Sequence, residues 1–172
     1  MPQLIKGGAV SEDRWTLVRD GEAPPPSSPA IVPLATWLVK RDELRKRSDI
    51  GVWLAPADDP SLLAGDVRTL PLIAVDFPKF ADGRGYSIAR LLRERFLFKG
   101  ELRAVGDVAR DQLYYLHQVG FDAFLLRDGK DAQDALASLR DFTDGYQVTN
   151  RRTPWFRRSD TDVALRHRGA TE

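Results

Sequence analysis

The stretch that decides the fold runs from Leu72 to Arg110: LIAVDFPKFADGRGYSIARLLRERFLFKGELRAVGDVAR. An apolar run over 72–77 stops at Pro78, and a loop with two glycines then leads into an apolar-periodic segment. A second apolar run over 102–105 ends in a Gly-Asp turn before another helical pattern. The stretch therefore predicts two consecutive β/α units, and folds built from such units place their sites just past the strand ends.

The same alternation extends to both sides of this stretch. Short apolar runs bounded by turn residues predict strands at 31–32, 51–55, 72–77, 102–105 and 121–126. Amphipathic or capped segments between and after them predict helices at 35–47, 60–67, 88–95, 108–119 and 131–142. We therefore expect an α/β fold of about five parallel strands in βα repeats, as an open sheet or part of a barrel. The exposed edges of a partial barrel would favour a homodimer.

Three regions differ in composition. Residues 1–20 predict a small β-hairpin appendage around the Gly7-Gly8 turn, and a Pro/Ser-rich connector follows it. Residues 30–147 form the predicted α/β domain. Residues 148–172 contain six arginines without apolar periodicity, so we interpret them as a basic, mobile tail.

Composition excludes several classes of function. The 172 residues include no cysteine and two histidines, which removes disulfides, thiolate nucleophiles and iron–sulfur ligation, and no metal site is predicted. A net charge of +1 argues against a dedicated nucleic-acid-binding protein. The sequence shows neither a signal peptide nor an apolar run of membrane-spanning length, so we expect a cytoplasmic protein that does not bind membranes.

The loop at 82–87 is the best candidate for ligand binding. Free backbone N–H groups at a helix start, flexible glycines and an arginine together suit a sulfate, phosphate or carboxylate. The G-x-G spacing alone favours a structural turn over an anion site, with Ser87 as the helix N-cap. The candidate ligand-binding residues of this loop and of the next β/α unit are Lys79, Asp82, Gly83, Arg84, Gly85, Tyr86, Ser87, Arg103 and Arg110.

Two carboxylates, Asp76 and Asp107, are the candidate catalytic residues. Asp76 interrupts an apolar strand, so it is either a functional group or the ion-pair partner of Lys79, Arg84 or Arg103. Asp107 follows the next strand, where it could equally cap the following helix. Either carboxylate could serve as a general acid or base.

The sequence resembles the bacterial family known as domain of unknown function 934. The resemblance is carried by three blocks, DRWTLV from Asp13 to Val18, DFPKFADGRGYSIARLLRER from Asp76 to Arg95, and GELRAVGDVARDQLYYLHQVGFDAFLLR from Gly100 to Arg127. Members of that family are often described as probable oxidoreductases of sulfite reduction, because their genes tend to lie beside those for sulfite reductase and phosphoadenylylsulfate reductase.

The resemblance implies an accessory protein of assimilatory sulfate or sulfite reduction that binds a sulfur oxyanion, a related anionic small molecule, or one of those reductases. Two alternatives stay open: an enzyme with an aspartate acid/base and arginines that hold an anionic substrate, and a scaffold that uses the basic tail. The absence of cysteine and of a full dinucleotide fingerprint leaves no redox motif and no identifiable cofactor.

Overall fold

The fold is built on an open, eight-stranded sheet with helices between its strands. The structure, a computed structural model, describes residues 3–79, 82–126 and 132–138. The strands, in chain order, are β1 Gln3–Lys6, β2 Ala9–Glu12, β3 Thr16–Leu17, β4 Ala30–Pro33, β5 Ile50–Leu54, β6 Leu72–Phe77, β7 Glu101–Gly106 and β8 Ala123–Leu125. The predicted α/β class is confirmed, and all five predicted parallel strands are present.

The order of the strands explains why the sheet is curved. The order is β2-β1-β8-β7-β6-β5-β4-β3, in which β3 to β8 are parallel and each pairs with its neighbour in the chain. Right-handed crossovers between sequential parallel strands put every connecting helix on one face of the sheet. The sheet therefore curls like half of a barrel and stays open at both edges.

The predicted hairpin is confirmed and becomes part of this sheet. β1 pairs antiparallel with β2 across Gly7 and Gly8, whose φ angles of 59° and 77° are those of a tight hairpin turn. β1 also pairs antiparallel with β8, and its Ile5 is fully buried. The connector is held in place by Arg47, which donates to the carbonyl oxygens of Pro25 and Ser28.

The helices differ in length from the predicted ones: the one predicted at 88–95 begins at Arg84, and the end of the one predicted at 131–142 lies outside the described residues. They are α1 Leu34–Val39, α2 Arg41–Leu44, a 3-10 helix Pro60–Leu63, α3 Arg84–Arg90 continued by a π-helix Leu91–Arg95, a 3-10 helix Arg110–Gln112, α4 Leu113–Val119 and α5 Ala132–Ser138. The single helix predicted at 35–47 is wrong, because the chain breaks at Lys40. Gly120, with a φ of 115°, ends α4 as predicted.

A buried carboxylate explains the break at Lys40. The second short helix brings Arg41 and Arg45 within 3.1 Å of Asp66, which also accepts a hydrogen bond of 2.9 Å from the indole of Trp37. Asp66 is only 1% exposed, so its buried charge needs these two ion pairs and the indole hydrogen bond. The local periodicity of the sequence predicts one continuous helix. The chain forms two short helices because they bring Arg41 and Arg45 to the carboxylate of Asp66, which lies further along the chain.

The two faces of the sheet have different coverings. The helix-covered face carries the main core, to which α1 contributes Trp37 and α3 contributes Ile88. The opposite face buries Ile31, Leu72, Ala74 and Val105, with Trp15, Trp53 and Leu125 packed on them. No residue of a described helix belongs to that second cluster. We call this surface the helix-free face. The predicted tail, residues 148–172, lies outside the described residues.

Candidate ligand-binding site at the C-terminal edge of the sheet

Asp76 lies on the helix-free face at the C-terminal end of β6. Successive side chains of a strand alternate between faces, so Asp76 shares its face with the buried Leu72 and Ala74. It is half-buried, and no ion pair joins it to any cation within the described ranges. Of the partners predicted for it, Arg84 pairs with Asp82 and Arg103 pairs elsewhere. Asp76 is thus an uncompensated carboxylate at a strand end.

Burial raises the pKa of Asp76. A hydrogen bond from the backbone N–H of Phe77 and the positive charge of Arg19 act in the opposite direction, and the negative charge of Asp82 adds to the increase. Gly106 keeps the space beside the carboxylate open, because a Cβ atom there would lie 2.5 Å from Oδ1 of Asp76. Its φ of 93° also favours glycine. A proton is therefore held more tightly on Asp76 than on an exposed aspartate.

The loop after β6 places two cations around Asp82. Arg84 donates from Nε and Nη2 to the two carboxylate oxygens of Asp82, at 3.0 and 2.7 Å. The hydrogen bonds from Arg84 lower the pKa of Asp82, and the charge of Lys79 has the same effect. A guanidinium has five N–H donors, so three remain on Arg84, whose side chain is 61% exposed. We call Asp76, Lys79, Asp82 and Arg84 the edge site.

The two glycines of the loop have different roles from the predicted ones. Neither has a positive φ. Gly83 is the N-cap of α3, whereas Gly85 is buried and lets α3 pack directly against the ring of Phe77, which a Cβ would clash with. Ser87 is the fourth residue of the helix and is exposed, so it is not the N-cap. The G-x-G spacing thus reflects helix packing at its second glycine.

The second β/α unit borders the edge site. Asp107 is half-buried, and its backbone N–H donates to the carbonyl oxygen of Phe77, at 2.6 Å, which joins the two strand ends. The N-cap of the following 3-10 helix is Ala109, so Asp107 does not cap it, and the exposed Arg110 begins that helix. Tyr86 packs edge-on against Phe77 at 5.7 Å, and burial, with the charge of Asp111, raises its pKa.

Arg103 does not reach the edge site. It lies in the middle of β7 and is 1% exposed, and it donates to Asp13 at 2.7 Å and to Glu101 at 2.8 Å. Lys6 adds an ion pair with Glu101 at 2.7 Å. We call Lys6, Asp13, Glu101 and Arg103 the Arg103 cluster. It ties the N-terminal segment to the helix-free face.

Sequence reasoning missed one residue of this region, Arg19. It follows β3 and is exposed, yet its charge acts on Asp76 from three strands away in the sheet. Nothing in the local sequence indicates this neighbourhood, because it depends on the pairing of strands that are far apart in the chain.

Residues 51–156 match a family described as "Bacterial protein of unknown function (DUF934)". The chain belongs to this family. The match to DUF934 includes β5 from its second residue, β6 to β8 and every residue of the edge site, and it begins after the segment that contains Asp13 and Arg19. No match was found among curated proteins or among solved structures.

Two further observations concern ions and membranes. Within residues 3–79, 82–126 and 132–138, no group of three or more histidine, aspartate or glutamate side chains is arranged to hold a metal ion. In the same ranges, none of the helices combines the length and the apolar character needed to cross a lipid bilayer.

Proposed function

We propose that this DUF934 protein is a cytoplasmic accessory protein of assimilatory sulfate or sulfite reduction, and that it binds a sulfur oxyanion or a related anionic ligand at the edge site. The observation that carries the binding proposal is the geometry of Arg84. Asp82 fixes the guanidinium in one orientation and leaves three of its donors exposed. Such a preorganised fork is well suited to an oxyanion.

Lys79 supports the same proposal. It is exposed, and its carbonyl oxygen accepts a hydrogen bond of 3.0 Å from the backbone N–H of Asp82. The charges of Lys79 and Arg84 both act on the Asp82 carboxylate, at the C-terminal ends of parallel strands where α/β proteins usually bind ligands. The choice of a sulfur oxyanion rests on the pathway that the family resemblance implies.

Thermal unfolding of the full chain with sulfate, sulfite and adenylylated sulfate tests this proposal. A ligand that binds only the folded state raises the melting temperature, and the shift grows with the logarithm of the ligand concentration above its Kd. We expect a shift at millimolar ligand that Arg84→Ala abolishes. No shift with any of the three anions would refute the small-ligand proposal.

Two variants make the test specific. Arg90→Ala is the matched control, because Arg90 is also an exposed arginine in an ion pair, with Glu94, further along α3. It should leave the anion shift unchanged. Asp82→Asn loosens the fixed orientation of the Arg84 guanidinium, so it should decrease the shift. An increase would mean that Asp82 competes with the anion for Arg84 and does not prepare it for binding.

Asp76 favours a second candidate function, an enzyme with an aspartate acid/base. Its raised pKa and its lack of an ion pair within the described residues are properties of such groups. An Asp76→Asn protein should then fail to restore growth on sulfate to cells lacking the gene, with no loss of melting temperature. Full restoration of growth would exclude this role.

The exposed cations Lys79 and Arg84 would also suit docking onto an acidic surface of sulfite reductase or phosphoadenylylsulfate reductase. Co-purification of each reductase with the wild-type chain tests this form of the proposal. We expect Lys79→Glu and Arg84→Glu together to abolish the association. Association that survives both changes would place the docking surface elsewhere, and removal of residues 148–172 would then test the basic tail.

A further inference from the structure

Arg19 has a fixed backbone and a side chain with no bound partner in the described part of the chain. Its backbone N–H donates to Oε2 of Glu22 at 2.9 Å. The preceding residue, Val18, is 2% exposed and donates from its backbone to the carbonyl oxygen of Ile31 at 2.9 Å. On the C-terminal side, the carbonyl oxygen of Arg19 accepts a hydrogen bond of 3.1 Å from the backbone N–H of Glu22. The backbone is thus held on both sides of Arg19, while its guanidinium makes no ion pair with the described carboxylates.

A hydrogen bond from the indole of Trp53 holds the segment before Arg19 in place near the strand that contains Asp76. The Nε1 of Trp53 donates to the carbonyl oxygen of Val18 at 2.9 Å, so the chain just before Arg19 is fixed over β5 rather than over β4 alone. Trp53 pairs in register with Ala74, and Asp76 follows two residues later on the same face. Arg19 is therefore held on the helix-free face near the end of β6.

The charges at the edge site require another cation. The carboxylates of Asp76 and Asp82 formally balance the charges of Lys79 and Arg84, so these four residues alone would not attract an anion. Together with Arg19, these residues carry a formal net charge of +1. Arg19 acts on Asp76, the carboxylate that would otherwise repel a ligand most, since Asp82 is already paired with Arg84.

We infer that Arg19 is a ligand-binding residue of the edge site, and that the oxyanion binds beside Asp76 with Arg19 on the β3 side and Lys79 and Arg84 on the β6 side. This inference rests on the proposed function. It means that the N-terminal segment supplies part of the site, although the family match covers only the β6 side.

Titration calorimetry of the full chain tests the inference, with sulfate, sulfite and inorganic phosphate as probes. We expect Arg19→Ala to weaken binding of the preferred anion about five- to tenfold, as expected for the loss of one partly exposed charge. Arg19→Lys should recover most of the affinity. Arg14→Ala is the matched control, because Arg14 is an exposed arginine of the same segment, and it should bind like the wild type.

A second measurement needs no ligand. NMR titration of the Asp76 carboxyl in the unbound protein should give a higher pKa in Arg19→Ala than in the wild type, and an unchanged one in Arg14→Ala. Wild-type binding that Arg19→Ala leaves intact would overturn this inference and keep the proposed function. A wild-type chain that binds none of the three anions would overturn both, even where the Asp76 titration responds to Arg19.

Discussion

Arg103 and Asp76 lie on the same face of neighbouring strands, but they differ in burial and in ion-pair partners. Arg103 pairs in register with Ala74, and Asp76 pairs with Val105, two residues nearer the C-terminal edge. Arg103 is almost completely buried and bonded to two carboxylates. Asp76 is half-buried and makes no ion pair within the described residues.

The difference follows from position along the strand. In the middle of the sheet, a charge is shielded from water, and only bound partners can offset its desolvation. At the C-terminal ends of the strands, water and ligands can reach a charged side chain. Such a side chain can therefore remain without an ion-pair partner at a smaller desolvation cost. The Arg103 cluster therefore stabilises the fold, whereas the edge site keeps groups available for binding.

The largest expected effect is at the centre of the Arg103 cluster. Arg103→Ala leaves the carboxylates of Asp13 and Glu101 without their shared partner and should reduce the free energy of unfolding by about 3–5 kcal/mol. Urea denaturation measures this change. A loss below about 1 kcal/mol would mean that the cluster does not stabilise the fold as described.

A smaller loss of stability is expected at Gly106, which lies between the Arg103 cluster and the edge site. Gly106→Ala forces a side chain into a positive φ and against Asp76, and should cost about 1–3 kcal/mol. The same experiment on Gly83→Ala is the control, since no atom lies within 4 Å of a Cβ there and its φ is −79°. Equal losses in the two variants would contradict the crowding at Asp76.

Asp76→Asn should change stability less, and in the opposite direction at neutral pH. The folded-state pKa of Asp76 is raised, so the folded protein binds this proton more tightly than the unfolded chain does. The wild type therefore loses stability as the pH rises from the ordinary aspartate value through the raised one, and the asparagine variant does not. We expect the variant to be slightly more stable at pH 7 and this advantage to vanish in acid, as measured by urea midpoints across pH. A variant less stable at pH 7 would indicate a structural role for the carboxylate.

The smallest effect is expected at the exposed end of the Arg103 cluster. Lys6 contacts Glu101 at 2.7 Å, but its side chain is 55% exposed, so water and salt screen the pair. Lys6→Ala should cost no more than about 0.5 kcal/mol, and less in high salt. A loss of stability as large as that in Arg103→Ala would mean that exposed and buried residues of the Arg103 cluster contribute equally.

Much of the edge site could be predicted from the sequence, because its parts are local. An aspartate that interrupts an apolar strand and a glycine-containing loop with cations are visible within about ten residues of chain, between Asp76 and Arg84. The partners of these residues could not be predicted. The sequence groups Arg103 with the loop because it belongs to the next β/α unit, but its partner Asp13 lies 90 residues away. Arg19 was missed for the same reason.

The sequence by itself determined the succession of five of the six parallel strands, all but β3, since apolar runs, turn residues and helical periods are local signals that bury surface in only a few ways. It also determined the chemistry that this protein can offer, because a chain without cysteine provides carboxylates, guanidiniums and backbone N–H groups in its place. Only the tertiary structure decided which charges are paired and which are available. Ion pairing depends on distances of a few ångströms between segments far apart in the chain, and the curl of the sheet sets those distances.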